Sequence, residues 1–191
     1  KQPERVKDVI QKAKADGIIS TYESIKSKLE DAIPMGYSNV GIVVEIGQDV
    51  KDFKIGDRVI SNGSHSEYVS VPQNLCAKIP TEVNDETAVF TILASIGLNG
   101  IRLAKPQFGE TFLVSGLGII GLLTAQLLKA NGCRVLGIDP EKSKCTIANK
   151  LGIETYLLEK DSHPLEWCLT KTSNIGLDAV IITATTISNS P

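Results

Sequence analysis

The sequence predicts an α/β protein: a partial β barrel followed by the first part of a doubly wound parallel sheet. Two patterns predict it. Residues 40–80 break into short β-branched runs separated by Gly, Asn, Ser and Asp, as antiparallel strands joined by tight turns do. Residues 111–183 alternate strand-length apolar runs with helix-length ones, the pattern of a parallel sheet covered by helices on both faces. With 42% apolar and 22% charged residues in 191, the chain can bury a core of that size.

The elements follow in order. The stretch before residue 34 reads as two helices. Val6, Val9, Ile10 and Ala13 recur at helical spacing, and Asp16-Gly17 ends the first helix. Ser20 with Glu23 three residues on is a capping-box signal for the second, and the basic excess here reads as a solvated face. Strands are expected at residues 40–46, at Val59-Ile60, at 68–71 and at 75–79, the last closed by Pro80. Two helical pieces come next. One carries Ala88, Val89, Ile92, Leu93 and Ile96; the other carries Leu98, Ile101 and Leu103 and ends at Pro106. The alternating part gives strands at 111–114, 134–138, Thr155-Tyr156 and 179–183, with helices at 119–130, 141–150 and 164–169. Asn131-Gly132 and Gly152 are helix stops. A complete doubly wound domain of this kind has six strands, so the sequence reads as cut at both ends. The domains expected are a helical segment 1–33, a small β domain 34–93 and an α/β domain 94–191.

Charge and cysteine usage narrow the partners. A net charge of −2 supplies no field to draw nucleic acid or an anionic membrane. The apolar stretches read as interrupted short of a spanning length of about 20 residues, and no secretory signal is visible, which makes the cytoplasm the default location. Cys76, Cys133, Cys145 and Cys168 lack the close pairing of a structural zinc site. They are expected to be reduced, with Cys76 and Cys133 as small core residues.

The chemistry sits after the first parallel strand. Ser115 is followed by Gly116-Leu117-Gly118-Ile119-Ile120-Gly121, then a helix, then a second strand ending in Asp139. A glycine hexamer alone is a weak signal, but strand, turn, helix, strand and acid together form a dinucleotide-binding pattern. Gly116 permits the tight turn, Gly118 lets a pyrophosphate approach the backbone, and Gly121 lets helix and strand pack closely. The free N–H groups and the helix dipole then hold phosphate. Asp139 would accept from the adenosine ribose hydroxyls and repel a 2′-phosphate, so NAD is the expected cofactor. Lys142 and Lys144 nearby soften that repulsion and leave NADP open.

With these residues in hand, the chain resembles the medium-chain dehydrogenase/reductase family, the alcohol dehydrogenase and quinone oxidoreductase group. Gly47-Gln48-Asp49-Val50 and the run from Phe53 to Val59 look like the turn and strand of that family's GroES-like barrel. Glu67-Tyr68-Val69, Val71-Pro72, residues 75–80 and Gly97 continue the likeness, which spans residues 34–185. The resemblance implies a GroES-like barrel before a Rossmann sheet. It implies hydride transfer between a nicotinamide and a small carbonyl, alcohol or enone-type substrate, in a homo-oligomer. It places Ile119 and Ile120 on the cofactor, with Ile120 behind the nicotinamide, Lys144 at the adenosine ribose, and Thr183 beside the cofactor. The family's zinc-binding Gly-His-Glu reads Gly36-Tyr37-Ser38 here, and a second ligand position holds Ile92. Isoleucine cannot bind zinc and neutral tyrosine does so poorly, so no zinc is expected. The N-terminal helices with Gly36 to Gly41 also resemble a bacterial subgroup in which this dehydrogenase half is fused to a second oxidoreductase domain.

Chemistry without a metal needs a proton or hydrogen-bond donor near the substrate. Tyr37, His65 and Asn62 are the candidates. The plainer readings are a core tyrosine and solvated loop residues. Ser95 and Asn99 either meet the ring and substrate or cap helices. Two other functions stay open: a nucleotide-binding sensor without turnover, and a zinc alcohol dehydrogenase with atypical ligands.

Overall fold

The computed structural model describes residues 35–184, and the two helices expected before residue 34 lie outside them.

The β part is a three-stranded antiparallel sheet of β1 (Asn39–Ile42), β2 (Arg58–Ser61) and β3 (Cys76–Lys78), in that spatial order. The register sets Val40 opposite Ile60 and Ile60 opposite Ala77. Period-2 alternation thereby turns Ile60 inward to pack with Ile79, Ala88, Val40, Val83 and Ile92. The strand expected over 40–46 ends at Ile42. Beyond it, only Val43 stays tied to the β2 side, donating to the Asp57 carbonyl and accepting from the Gly56 N–H.

The Phe53–Val59 motif earns its shape from Asp57. Its carboxylate accepts from the Lys54 N–H at 2.9 Å and pairs with Lys78 on β3 at 3.0 Å. The Lys54 N–H, followed by Lys78, holds this carboxyl below the usual range. Next to it, Arg58 donates to Asp85 Oδ1 at 3.0 Å and to the Val83 carbonyl, tying β2 to the start of the first helix.

Residues 68–71, expected as a strand, form none. Tyr68 is largely exposed, and no ladder reaches this run among the described residues. β propensity is realised only where a neighbouring edge is present to pair and pack.

The short helix α1 (Asp85–Ala88) is capped by Asn84, which accepts from the Thr87 N–H at 2.8 Å. Then α2 (Thr91–Ala104) runs unbroken through Gly97, where two pieces were expected. The break falls earlier, at Val89-Phe90. Taken across that break, Asp85–Ala104 has the length and hydropathy of a membrane-crossing segment, while each helix alone stays short of about 20 residues. Here Ile92 packs on the β2 core and Gly97 is buried.

The second sheet holds β4 (Thr111–Ser115), β5 (Arg134–Asp139), β6 (Glu154–Leu157) and β7 (Ala179–Ile182). All are parallel, in the order β6-β5-β4-β7. The connections are α3 (Ile119–Ala130), α4 (Lys142–Lys150) and α5 (Pro164–Lys171). Phe112, Val114 and Val135 face α3 and α4, packing with Leu117, Ala125, Leu128, Ala148 and Ile153. Leu113, Leu136 and Ile138 face the other way, toward Cys168, Trp167 and Tyr156. Over β4 and β5 both faces are covered, so these strands read as continuous apolar runs, while Val180 and Ile182 on β7 are exposed. Each fully buried Leu or Phe here stabilises by about 2 kcal/mol. The architecture is the α/β class expected, with an antiparallel β unit before a parallel sheet. All four cysteines are free thiols; Cys133, Cys145 and Cys168 are buried, while Cys76 is only half-buried.

Candidate functional site

At the end of β4 the backbone must leave the sheet and enter α3 within three residues. Gly116 makes the turn at φ +96°, a conformation that L side chains rarely adopt, and a Cβ there would sit 2.7 Å from the Ala184 nitrogen. Its N–H donates to the Ile138 carbonyl at 2.9 Å, which keeps the turn in register with β5. A Cβ on Gly121 would overlap the Gly116 carbonyl oxygen, so the first turn of α3 lies directly on the glycine turn. Gly118 differs from both, because a Cβ there would meet nothing within 4 Å. Its bareness leaves open space beside the backbone.

That space faces the start of α3. Gly118 is the N-cap, and no side chain caps the helix. The first N–H groups of a helix have no partner within it, and they carry the positive end of its dipole. A bare, donor-lined N-terminus at the carboxyl edge of a parallel sheet is an anion site. It lies at β4, the strand from which the order runs to β5 on one side and to β7 on the other, where such folds bind their ligands. The cradle therefore fits a pyrophosphate. Ile119 is half-exposed at its mouth and Ile120 partly buried.

Two side chains finish the turn. The Thr183 hydroxyl, just past β7, donates to the Gly116 carbonyl at 2.7 Å, and its N–H donates to the Ser115 carbonyl at 2.9 Å. It holds the turn from the opposite side. Asp139, 3% exposed at the end of β5, accepts from the Leu117 N–H and from the Glu141 N–H, each at 2.8 Å. A carboxylate has about four acceptor positions, so capacity remains for ribose hydroxyls. Lys144 approaches Asp139 at 3.9 Å but pairs more closely with Glu141, at 3.0 Å. Glu141 also accepts from the Ser143 hydroxyl. Ser143, followed by Lys144, holds the Glu141 carboxyl low; Glu141, followed by the Asp139 charge, pushes the Lys144 ammonium up.

The cofactor-side residues read from the sequence thus converge on one edge. The catalytic candidates do not converge in the same way. Tyr37 is half-exposed, His65 exposed and Asn62 partly buried, and no hydrogen bond joins them among the described residues. Asn62 donates its N–H to the Leu75 carbonyl. The Ser95 hydroxyl is spent on the Ile92 carbonyl within α2, and Asn99 is exposed.

Sequence reasoning missed two groups. One is Asn39 with Ser61, joined at 2.6 Å, which hold the loop carrying Asn62 and His65 through Ser64 and Gly63. Their signal is the β1–β2 register, which sets Asn39 opposite Ser61. The other is Glu141, whose i,i+3 spacing to Lys144 was legible as an ion pair.

Comparison with known proteins fits this geometry. Residues 14–81 match the alcohol dehydrogenase GroES-like domain, and residues 120–190 match the domain described as zinc-binding dehydrogenase. The chain is 32% identical to the D-guloside 3-dehydrogenase of Escherichia coli over 154 residues, 78% of this chain and 44% of that protein. It is 29% identical to the acryloyl-coenzyme A reductase of Metallosphaera sedula, over 64% of this chain and 47% of that one. The crystal structure of 2R,3R-butanediol dehydrogenase from Bacillus subtilis superposes with a TM-score of 0.67 at 26% identity, covering 78% of this chain and 50% of that one. The chain thus spans about half the length of the proteins it matches. With a β unit of GroES-like type leading into a sheet whose glycine turn, helix and acidic residue stand in the order found above, the chain belongs to the medium-chain dehydrogenase/reductase family.

Proposed function

We propose that the full-length protein is a zinc-independent, NAD(P)-dependent oxidoreductase acting on a small carbonyl, alcohol or enone-type substrate. The observation that carries this reading is the glycine turn, bare at Gly118 and braced by Thr183 and Asp139. The N-terminus of α3 would hold the pyrophosphate and Asp139 the adenosine ribose, which favours NAD. Ile119 and Ile120 would offer apolar surface at the mouth, and Lys144 a cation near the ribose. When bound, the nicotinamide supplies the hydride acceptor or donor. The division into residues 34–93 and 94–191 belongs to this reading, with substrate taken from the β side.

Zinc independence rests on the two ligand positions named by the family resemblance. Tyr37 is a poor ligand when neutral, and Ile92 is engaged in apolar packing with Ile60, Ile79 and Ala88. Tyr37, Asn62 and His65 then remain the side chains able to donate to a substrate oxygen. Relatives named for a D-guloside and for acryloyl-coenzyme A motivate the substrate range.

The test is a parallel titration of the full-length protein with NADH and NADPH by nucleotide fluorescence, followed by turnover on secondary alcohols, sugars and enones. Tight NADH binding with turnover is the expected result. Absence of binding by either nucleotide sinks the reading, binding without turnover turns it into a sensor, and stoichiometric zinc in the purified protein removes the metal-free part.

A further inference from the structure

We propose that Glu141 sets the cofactor preference of this site by keeping the Lys144 ammonium paired, so that a nucleotide's 2′ position meets net negative charge. This rests on the dinucleotide reading above. Lys144 lies in the first turn of α4, where a cation opposes the helix dipole. It stays there because two carboxylates face it: Glu141 Oε2 at 3.0 Å and Asp139 Oδ1 at 3.9 Å. Glu141 is itself fixed, since its other oxygen accepts from Ser143 and its N–H donates to Asp139 at 2.8 Å. Two negative groups and one positive leave the cluster negative. A 2′-phosphate, dianionic and seeking a free cation, finds the nearby ammonium already engaged. The ribose diol of NAD needs only acceptors, which Asp139 supplies.

Without the Glu141 charge the cluster becomes neutral and Lys144 gains freedom to turn toward a phosphate. Glu141 and Lys144 are both solvent-accessible, so their substitution leaves the core untouched.

The experiment titrates full-length wild type, Glu141→Gln, Ser143→Ala and the double variant Glu141→Gln/Lys144→Met with NADH and NADPH in parallel, at low and at moderate salt. In Glu141→Gln the NADH-over-NADPH affinity ratio falls about threefold, the scale of one charge in a solvent-lined site. The fall shrinks as salt rises and vanishes in the double variant. Ser143→Ala shifts the ratio the same way by less. Glu141→Gln binding both nucleotides at the wild-type ratio overturns the proposal and leaves the dinucleotide reading standing, as does an equal shift in the double variant. Wild type binding neither nucleotide overturns that reading, and this proposal with it.

Discussion

Gly118 and Gly121 sit three residues apart and have opposite reasons to lack a side chain. At Gly121 the reason is internal, because a Cβ there would overlap the Gly116 carbonyl. Gly121→Ala therefore destabilises the fold by about 3 kcal/mol, as overpacking in a tight core does, and lowers nucleotide affinity only as a consequence. At Gly118 the surroundings are open and φ is −68°, a conformation alanine adopts freely. Gly118→Ala leaves stability within about 1 kcal/mol while lowering NADH affinity at least about tenfold, since the added methyl fills the space a pyrophosphate needs. Urea denaturation set beside nucleotide titration of the two variants checks this; equal stability losses in both refute it. The sequence motif assigned the two glycines different roles; which atoms a Cβ would meet at each, the Gly116 carbonyl at Gly121 and none at Gly118, is a tertiary fact.

Between elements, the contact of α2 with α3 turns on Gly97 and Thr124. A Cβ on Gly97 would overlap the Thr124 hydroxyl, which is fully buried and donates to the Ile120 carbonyl at 2.7 Å. Pushing α2 away would load the first turns of the helix that carries the glycine turn. Gly97→Ala is expected to cost about 1–3 kcal/mol despite the roughly 1 kcal/mol that alanine gains over glycine in a helix. Thr124→Ala in the same chain recovers most of that loss, and thermal melts of the single and double variants measure the coupling. This close crossing also explains why α2 continues through Gly97. A glycine that reads as a break in one dimension serves in three as the place where two helices touch.

Across the whole parallel sheet, Glu154 on β6 joins Arg134 of β5 at 2.7 Å and Lys171 of α5 at 2.8 Å, while Arg134 donates to the Lys171 carbonyl. Lys171, followed by Arg134, holds the Glu154 carboxyl below its ordinary 4.5. A depressed carboxylate contributes stability above its unfolded pKa and loses it as pH falls through the folded value. Glu154→Gln should therefore be less stable than wild type at pH 7, by under about 1 kcal/mol because the pair is half exposed. The two converge as pH falls through the lowered folded-state value of Glu154, and urea denaturation at neutral and at acid pH checks it. No convergence on acidification means the network contributes nothing through charge.

The sequence by itself determined the alternation of strands and helices after residue 110, the glycine turn and Asp139 at its partner strand. These features are local: side-chain periodicity, caps and turn chemistry act over a few residues. Only the tertiary structure decided that residues 68–71 lack a ladder, that α2 runs through Gly97, that Thr183 braces the turn, and that Lys144 answers first to Glu141. Each depends on which distant atom comes within about 3–4 Å. Pairing, overlap and charge neutralisation at that range follow from how the chain folds back on itself, which no window along the sequence contains.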